Sequence, residues 1–494
     1  METMQIVPRS PILYQNAECD ITLIDIWTSI AAAQGRSQDV LLSTSPLEAP
    51  IVPKEDYRPK TQKTKPTNSK GLQASSIKAQ HLAESTHAEY KVLVEHALAR
   101  IHAQVSGPWC APRKLMTQPA GEGAMDVDEP LASNQKSFLQ SSGNLMEGSQ
   151  TPIARPADPE RNSTTEKELE FRMREWATWS ESKGDDTAFN LQQMMASLGA
   201  TSEAAVTPMW TSSYRPAREP TSSTRVAETV SQSTTGTQTE PWTSTFHNPN
   251  DHSLKLTVSE TKSLGPEYRF TIPPHSTFFL SDSTASDTFR TSFRSLTAEY
   301  NLPRHFDLVL LDPPWPNRSA KRKGAYEQVG GMPYLKRMLL GMDIDTYLEH
   351  NALVGVWITN KDSLRSAVLD LFERWNVGLV EEWVWIKTTT KGEPMFDIDT
   401  LMRKPYEVLL LGRAAPNSWT TMAHATNVKR RVIAAVPDIH SRKPCLKELI
   451  EPYLLNPKKY SALEIFSRYL VSGWTSWGNE VLKYNWDGYW APQT

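Results

Sequence analysis

After Pro241, short apolar runs alternate with amphipathic stretches, and the spacing of apolar positions predicts the elements. SLKLTVSE, EYRFTI and STFFLSD read as short strands separated by turn residues. FDLVLLD, GVWITN, GLVEEWVWIK, EVLLLGR and SALEIFSR follow as further strands. Helices are predicted around Asp343–His350, over Asp362–Trp375 and in PCLKELIEPYLL. The second is best marked, with Asp362 placed as N-cap and Leu364, Val368, Leu371, Phe372 and Trp375 on one face. Strands alternating with helices imply βαβ crossovers and a mainly parallel sheet covered on both faces, an α/β architecture.

The first half has a different texture. From Pro46 to Pro159 the chain is rich in Pro, Ser, Gln and Lys, and segments such as VPKEDYRPKTQKTKPTNSK bury too little apolar surface to offset the entropy of ordering. One island is HLAESTHAEYKVLVEHALARIHAQV, with Tyr90, Val92, Leu93, Ala97, Leu98 and Ile101 near helical spacing. EKELEFRMREWATWSESK reads as an exposed helix, and Ser202 to Pro241 as a Ser/Thr-rich linker without structure. The opening ILYQNAECDITLIDIWTSI has partly strand-like alternation and is expected to pack onto a later part of the chain. The expected organisation is a short structured segment over 1–45, a mostly disordered stretch with isolated helices over 46–240, and one α/β domain over 241–494.

Composition supports this division. Ten of the 16 tryptophans fall after residue 300, as a folded core there predicts. The 35 prolines and a mean hydropathy of −0.49 argue against several large cores in 494 residues. No run of apolar residues is long enough for a membrane span, and METMQIVPRSPILYQ lacks the pattern of a secretory signal. Cys19, Cys110 and Cys445 stand far apart with no C-x-x-C pair, which argues against a disulfide framework and a sequence-legible zinc site and fits a reducing compartment. From residue 301 onward 25 Lys and Arg face 21 Asp and Glu, against 28 and 35 before it. A mildly basic half is compatible with a polyanionic partner, and equally with ordinary surface charge.

The candidate chemistry sits at one strand end. In FDLVLLDPPWPN, Phe306 to Asn317, a buried-strand pattern stops at Asp312 because Pro313 and Pro314 have no N–H for the ladder. A carboxylate beside a proline carbonyl of fixed position offers two acceptors, which suits an –NH2 group with two donors. The following Trp315 offers a face to a flat ring carrying that amine. An exocyclic purine amine is a poor nucleophile, and holding both its hydrogens aims its lone pair by orientation and electrostatics. A proline-rich turn that merely ends a strand is the plainer reading.

DPPW is a signature of amino-methylating enzymes, and with it the chain resembles the eukaryotic N6-adenosine methyltransferase family. The resemblance runs from Thr277 to Leu482 through FFLSDS, DPPW, VWITN, RKPYEVLLLGR, HSRKP, LEIFSR and GWTSWGNEVL, in the family's order. The stretch PNRSAKRKGAY and the ending GWTSWGNEVL are most similar to the methyltransferase-like protein four branch. With three scattered cysteines the chain lacks the CCCH zinc fingers of the family's messenger-RNA catalytic subunit.

The resemblance implies a Rossmann-like sheet with permuted motif order, S-adenosylmethionine as cofactor and no metal. It implies that Asp282 and Ser283 meet the cofactor's adenine, that Asp312 and Lys443 lie at its methionine end, and that Arg468, Asn479 and Glu480 lie near the ribose. Phe466 is expected as a packing neighbour. Many relatives carry an apolar residue where Ser283 stands, and Arg442 replaces a histidine of another branch. Asp312, Pro313, Pro314 and Trp315 are implied as the catalytic set. Around the acceptor, Asn317 is a substrate-binding candidate, Lys321, Arg322, Lys323 and Arg403 are candidates for phosphate, Tyr326 and Tyr406 for stacking on or bordering a base, and Glu407 for the adenosine.

The implied activity is methylation of the N6 amine of adenine in nucleic acid. The resemblance favours RNA as substrate, particularly small nuclear RNA with a 2′-O-methylated adenosine; DNA, or a catalytically silent RNA-binding scaffold, which the intact DPPW and Lys443 disfavour, are the alternatives. The target adenine must be single-stranded or extruded from a duplex. A nucleic-acid substrate makes the nucleus the expected location, with the cytosol as alternative.

Overall fold

The computed structural model describes residues 10–52, 73–116, 195, 198, 210–217, 239–260, 267–316, 331–400, 404–415, 428–439 and 442–493. The N-terminal part supplies β1 (Ile12–Gln15), β2 (Ile21–Ile24), α1 (Ile26–Gln34), β3 (Asp39–Leu41) and α2 (Gln73–His102). Then come β4 (Trp210–Pro216), β5 (Glu240–Pro241), β6 (Thr245–His247), β7 (Leu254–Glu260), β8 (Tyr268–Ile272) and β9 (Thr277–Leu280). The remainder is α3 (Ser286–Tyr300), β10 (Phe306–Leu311), α4 (Gly331–Gly341), β11 (Leu348–Ile358), α5 (Asp362–Arg374), β12 (Val377–Lys387) and β13 (Tyr406–Ala414). It closes with β14 (Lys429–Ala435), α6 (Lys447–Ile450), β15 (Ala462–Ile465), β16 (Thr475–Gly478) and β17 (Trp490–Pro492).

Among the described residues the main sheet has eleven strands, in the order β1-β2-β14-β12-β13-β11-β10-β15-β16-β9-β6. From β11 through β10, β15 and β16 to β9 every neighbour is parallel, and β12, β14 and β2 form a second parallel block. β13 joins the blocks by antiparallel pairing on both sides. The fold is α/β with a mostly parallel central sheet. β15 and β16 come long after β10 in the chain, yet β15 lies directly beside it and β16 beside β15.

Side chains alternate across a strand, so each strand feeds two apolar layers. Leu308 and Leu310 of β10 join the layer that contains α1 and the segment after β14, whereas Val309 and Leu311 join the layer that contains α2, α3, α4 and α5. No described helix is long and apolar enough to cross a membrane.

Several elements differ from the sequence-based expectation. The helix expected at Asp343–His350 is a single 3-10 turn, Ile344–Tyr347, because the apolar run of β11 already recruits Leu348. α4, just before it, was not anticipated. PCLKELIEPYLL holds one α-turn, which gives way to 3-10 geometry at Glu451-Pro452. Asp362 is the first residue of α5, and Lys361 occupies the cap position. Val92, expected on the buried face of α2, is 68% exposed, and Val94 lies in the core.

The boundary expected at 241 falls inside structure. WTSSYRP, within the expected linker Ser202–Pro241, is β4, paired in register with β7. ILYQNAECDITLIDIWTSI supplies β1, β2 and α1, with β2 entering the main sheet against β14. EKELEFRMREWATWSESK lies outside the described residues.

Candidate active site

Four adjacent parallel strands end side by side, and each ends in residues singled out from the sequence. Asp312 follows β10, Phe466 and Arg468 follow β15, Asn479 and Glu480 follow β16, and Asp282 and Ser283 follow β9. Strands lie about 4.8 Å apart, so this row of C-terminal tips spans about 14 Å. In open α/β sheets that edge is where ligands bind. A cavity of about 220 Å³ opens at the other end of the same strands, lined by Thr277, Phe306, Ala462 and Thr475 at their first residues.

The DPPW turn is braced from several sides. Asp312 N donates to the Ile465 carbonyl at 3.4 Å, so the first residue beyond β10 stays tied to β15. Trp315 N donates to the Pro313 carbonyl at 2.7 Å, which leaves that oxygen one lone pair. Lys361 Nζ donates to the Pro316 carbonyl at 3.2 Å. Trp315 differs from the stacking residue expected. It is 8% exposed within the α-helical layer and its Nε1 donates to the Trp357 carbonyl at 2.6 Å, so it anchors the turn.

Asp312 meets Lys443, whose Nζ lies 2.9 and 2.8 Å from its two carboxylate oxygens. The same ammonium is 3.2 Å from Glu407, and Lys387 Nζ sits 2.6 Å from the other oxygen of Glu407. The register explains the row. Glu407 stands opposite Trp385 in the β12–β13 pair, and Lys387, two residues on, shares that face. Burial alone would raise Glu407, but Lys387 and Lys443 hold its carboxyl well below the usual carboxylate range. Burial likewise opposes the charge on Lys443, and Asp312 and Glu407 hold its pKa above the ordinary value. Glu407 thus faces two lysines rather than an open acceptor site.

Tyr406 also differs from expectation. It is 3% exposed, its hydroxyl lies 2.8 Å from His87 Nδ1 of α2, and its ring packs edge-on against Tyr90. A ring closed off by α2 cannot stack on a base. The preceding loop is held by the N-terminal part as well: Trp109 N donates to the Thr390 carbonyl at 2.9 Å, and Ile51 N to Met395 at 2.8 Å. Gly392 is required here, since its φ is +84° and a Cβ would sit 2.4 Å from the Trp109 ring.

Along the rest of the edge, Arg468 Nε donates to Glu480 at 3.0 Å and Lys483 Nζ to its other oxygen at 2.7 Å. Asp282 accepts from Thr284 N at 2.9 Å, the turn-forming role of an aspartate at a strand end. Ser283 is buried, and Asn479 and Phe466 are half-buried. Phe466 has φ +64°, and a Cβ on Gly478 would lie 3.3 Å from its Cα and 3.2 Å from the Ser467 carbonyl. The β15–β16 tips are thus drawn close together. Asn317, Lys321, Arg322, Lys323, Tyr326 and Arg403 lie outside the described residues.

Glu464, one strand from Asp312, was missed by the sequence reading. Burial pushes its carboxyl up to about 7, and the charge of Asp312 adds to this while Ser467 opposes it. Ser467 Oγ is 2.5 Å from the Tyr469 carbonyl and 3.1 Å from Glu464 Oε2. Ser467 Oγ donates to Glu464 Oε2, and that bond to the ionised carboxylate works against the effect of burial. The signal was available as a lone charge between apolar residues of a strand, in LEIF.

Residues 306–480 match the MT-A70 family. The chain is 40% identical over 222 residues to the N6-methyladenosine RNA methyltransferase MTA1 of Cryphonectria parasitica, covering 44% of this chain and 62% of that protein. It is 35% identical over 223 residues to the N(6)-adenine-specific methyltransferase METTL4 of Homo sapiens, 44% of each chain. It is 31% identical over 214 residues to a DNA N6-methyl methyltransferase of Caenorhabditis elegans, 43% of this chain and 53% of that one. The alignments thus span roughly half the length of these relatives. Residues 306–480, which build the Asp312 tip and its neighbours, are the part of the chain that matches the MT-A70 family.

Proposed function

We propose that the chain transfers a methyl group from S-adenosylmethionine to the N6 amine of adenine in nucleic acid. The observation that carries this is the meeting of Asp312 and Lys443 on the edge where the DPPW strand ends. A donor of this kind has a carboxylate, an ammonium, ribose hydroxyls and an adenine edge, laid out along one molecule. The strand tips and their surroundings offer a half-buried lysine, a carboxylate, the Arg468–Glu480 pair and Asp282, over a Gly478 cradle that a Cβ would crowd. These groups fit S-adenosylmethionine, which when bound supplies a methyl group activated on sulfur.

On this reading Lys443 neutralises the donor's carboxylate as a point charge. Glu480, oriented by Arg468 and Lys483, accepts from ribose hydroxyls. Asp312 and the remaining lone pair of the Pro313 carbonyl accept the two hydrogens of the target amine. Trp315 and Lys361 keep the turn from shifting. Asp312 or water takes the released proton. Replacing Asp312 by alanine should abolish methyl transfer while donor binding is largely kept; undiminished transfer would sink the assignment.

RNA is the substrate we favour, because the fungal relatives named as RNA methyltransferases are 40% and 41% identical, against 31% for the nematode relative named as a DNA enzyme. A 2′-O-methylated adenosine in small nuclear RNA, and therefore a nuclear location, is the finer form of that proposal. Methylation of RNA and DNA oligonucleotides of one sequence, assayed side by side, decides between them. A scaffold without catalysis would show no donor binding in calorimetry.

A further inference from the structure

Lys443 is held in place from both sides by a part of the chain that lies some 400 residues away in sequence. Directly before it, Arg442 is 2% exposed, and its Nη1 donates to Asp438 at 2.6 Å and to the Leu42 carbonyl at 3.0 Å. The guanidinium lies 4.3 Å over the Tyr484 ring, and that ring rather than a further acceptor faces its remaining charge. Asp438, 1% exposed, also accepts from Ser43 Oγ and Thr44 N, both at 3.1 Å. Two residues after Lys443, Cys445 N donates to Ser29 Oγ at 2.9 Å. Arg113 completes the fastening, donating to the Thr44, Val436 and Pro437 carbonyls at 3.3, 2.9 and 3.0 Å.

We propose that residues 29–44 are a built part of the donor site, with Ser29, Asp438 and Arg442 acting as positioning residues for Lys443. The inference rests on the reading above that Lys443 meets the donor's carboxylate. The lysine ammonium itself contacts Asp312 and Glu407, so the N-terminal segment acts on it only through the backbone to either side. A lysine stem is long and flexible, and a fixed Cα is what limits where its charge can go. Groups of this kind must stand within a fraction of an ångström of their working position, which a supporting shell supplies. Asp438 and Arg442 suit that role because both are buried and Arg442 Nη1 ties Asp438 to the Leu42 carbonyl, while Asp438 also accepts from Ser43 and Thr44.

The test measures S-adenosylhomocysteine binding by calorimetry and, separately, KM for the nucleic-acid acceptor at saturating donor, on the full chain. Ser29→Ala removes the tether after Lys443; Arg442→Met combined with Asp438→Asn removes the tether before it without leaving a buried charge unpaired. The double variant should weaken donor binding by about tenfold and Ser29→Ala by about threefold, with acceptor KM unchanged. Arg442→Lys, which keeps a cation for Asp438, should recover part of the loss. A folded double variant with wild-type donor affinity overturns the proposal. Should the double variant not fold, wild-type affinity in Ser29→Ala overturns it equally. If the unaltered protein binds no donor, or Lys443→Met binds it normally, the functional reading fails instead.

Discussion

Lys443 Nζ bridges both carboxylate oxygens of Asp312, at 2.9 and 2.8 Å, across 131 residues of sequence. The pair joins the donor side and the acceptor side of the proposed reaction in one contact. Lys443 also touches Glu407, so one ammonium serves two carboxylates at the strand tips. Lys443→Met removes that shared cation and should weaken S-adenosylhomocysteine binding by about ten- to a hundredfold, the range of one charge-assisted hydrogen bond. Calorimetric titration reads the loss directly. A change smaller than twofold would take Lys443 out of the donor site.

Glu464 should make stability depend on pH. Its carboxyl is raised from the ordinary 4.5 to about 7, first by burial and then by Asp312. The folded state therefore keeps a proton that the unfolded chain releases near pH 4.5. The stabilising contribution is complete below that pH and is lost as pH rises through about 7. Glu464→Gln keeps the shape and has no proton to release. The melting temperature of the wild-type protein should fall between pH 5 and pH 8, and the variant should lose roughly 2–3 kcal/mol less over that interval. Parallel pH profiles for the two proteins would show that Glu464 ionises normally.

Tyr406→Phe tests whether the Tyr406 hydroxyl serves the fold or the acceptor. The hydroxyl bonds to His87 and the ring lies under α2, so the substitution removes one hydrogen bond and leaves the ring in place. Stability should drop by about 1 kcal/mol in denaturant titration. KM for the nucleic-acid acceptor should stay within about twofold, since no acceptor contact is made through the hydroxyl. A large rise in KM with unchanged stability would restore Tyr406 to the acceptor site.

What the sequence made legible follows from how local each signal is. The strand-turn of FDLVLLDPPW is local, because two prolines forbid the ladder whatever the rest of the chain does. The face of α5 is local too, and Leu364, Val368, Leu371 and Phe372 are buried as their spacing implies. Trp315, Tyr406 and Glu407 were placed by motif, but their surroundings come from remote partners: Trp357, His87 and Lys387. No periodicity reports such pairings. β4 was lost because WTSSYRP is polar on one face and becomes a strand only through register with β7. ILYQNAECDITLIDIWTSI was legible as strand-like alternation that packs onto a later part of the chain, but periodicity could not name β14 as its partner.

That long-range pairing leads to the most consequential prediction, that a chain beginning at Pro241 will not fold. Such a chain lacks β2, which covers the edge of β14, and an exposed hydrophobic edge invites aggregation. It also lacks α2, whose Tyr90 hydroxyl donates to Glu382 at 2.8 Å. Glu382 is fully buried and is further bonded by Arg365, and by Arg430 Nε at 3.0 Å. With α2 gone, this cluster would open to water on one side and lose a hydrogen bond. The truncated chain should show no cooperative melting and a weak near-UV circular dichroism signal, whereas a chain beginning at Ser10 should melt as one unit. A sharp, reversible transition in the Pro241 chain would mean that the part matching the MT-A70 family is self-sufficient and that the N-terminal strands and α2 only decorate it. Tyr90→Phe in the full chain supplies the graded version. It should cost about 1 kcal/mol, because the two arginines still satisfy Glu382. Glu382→Gln should cost more, since it leaves Arg365 and Arg430 without their shared counter-charge.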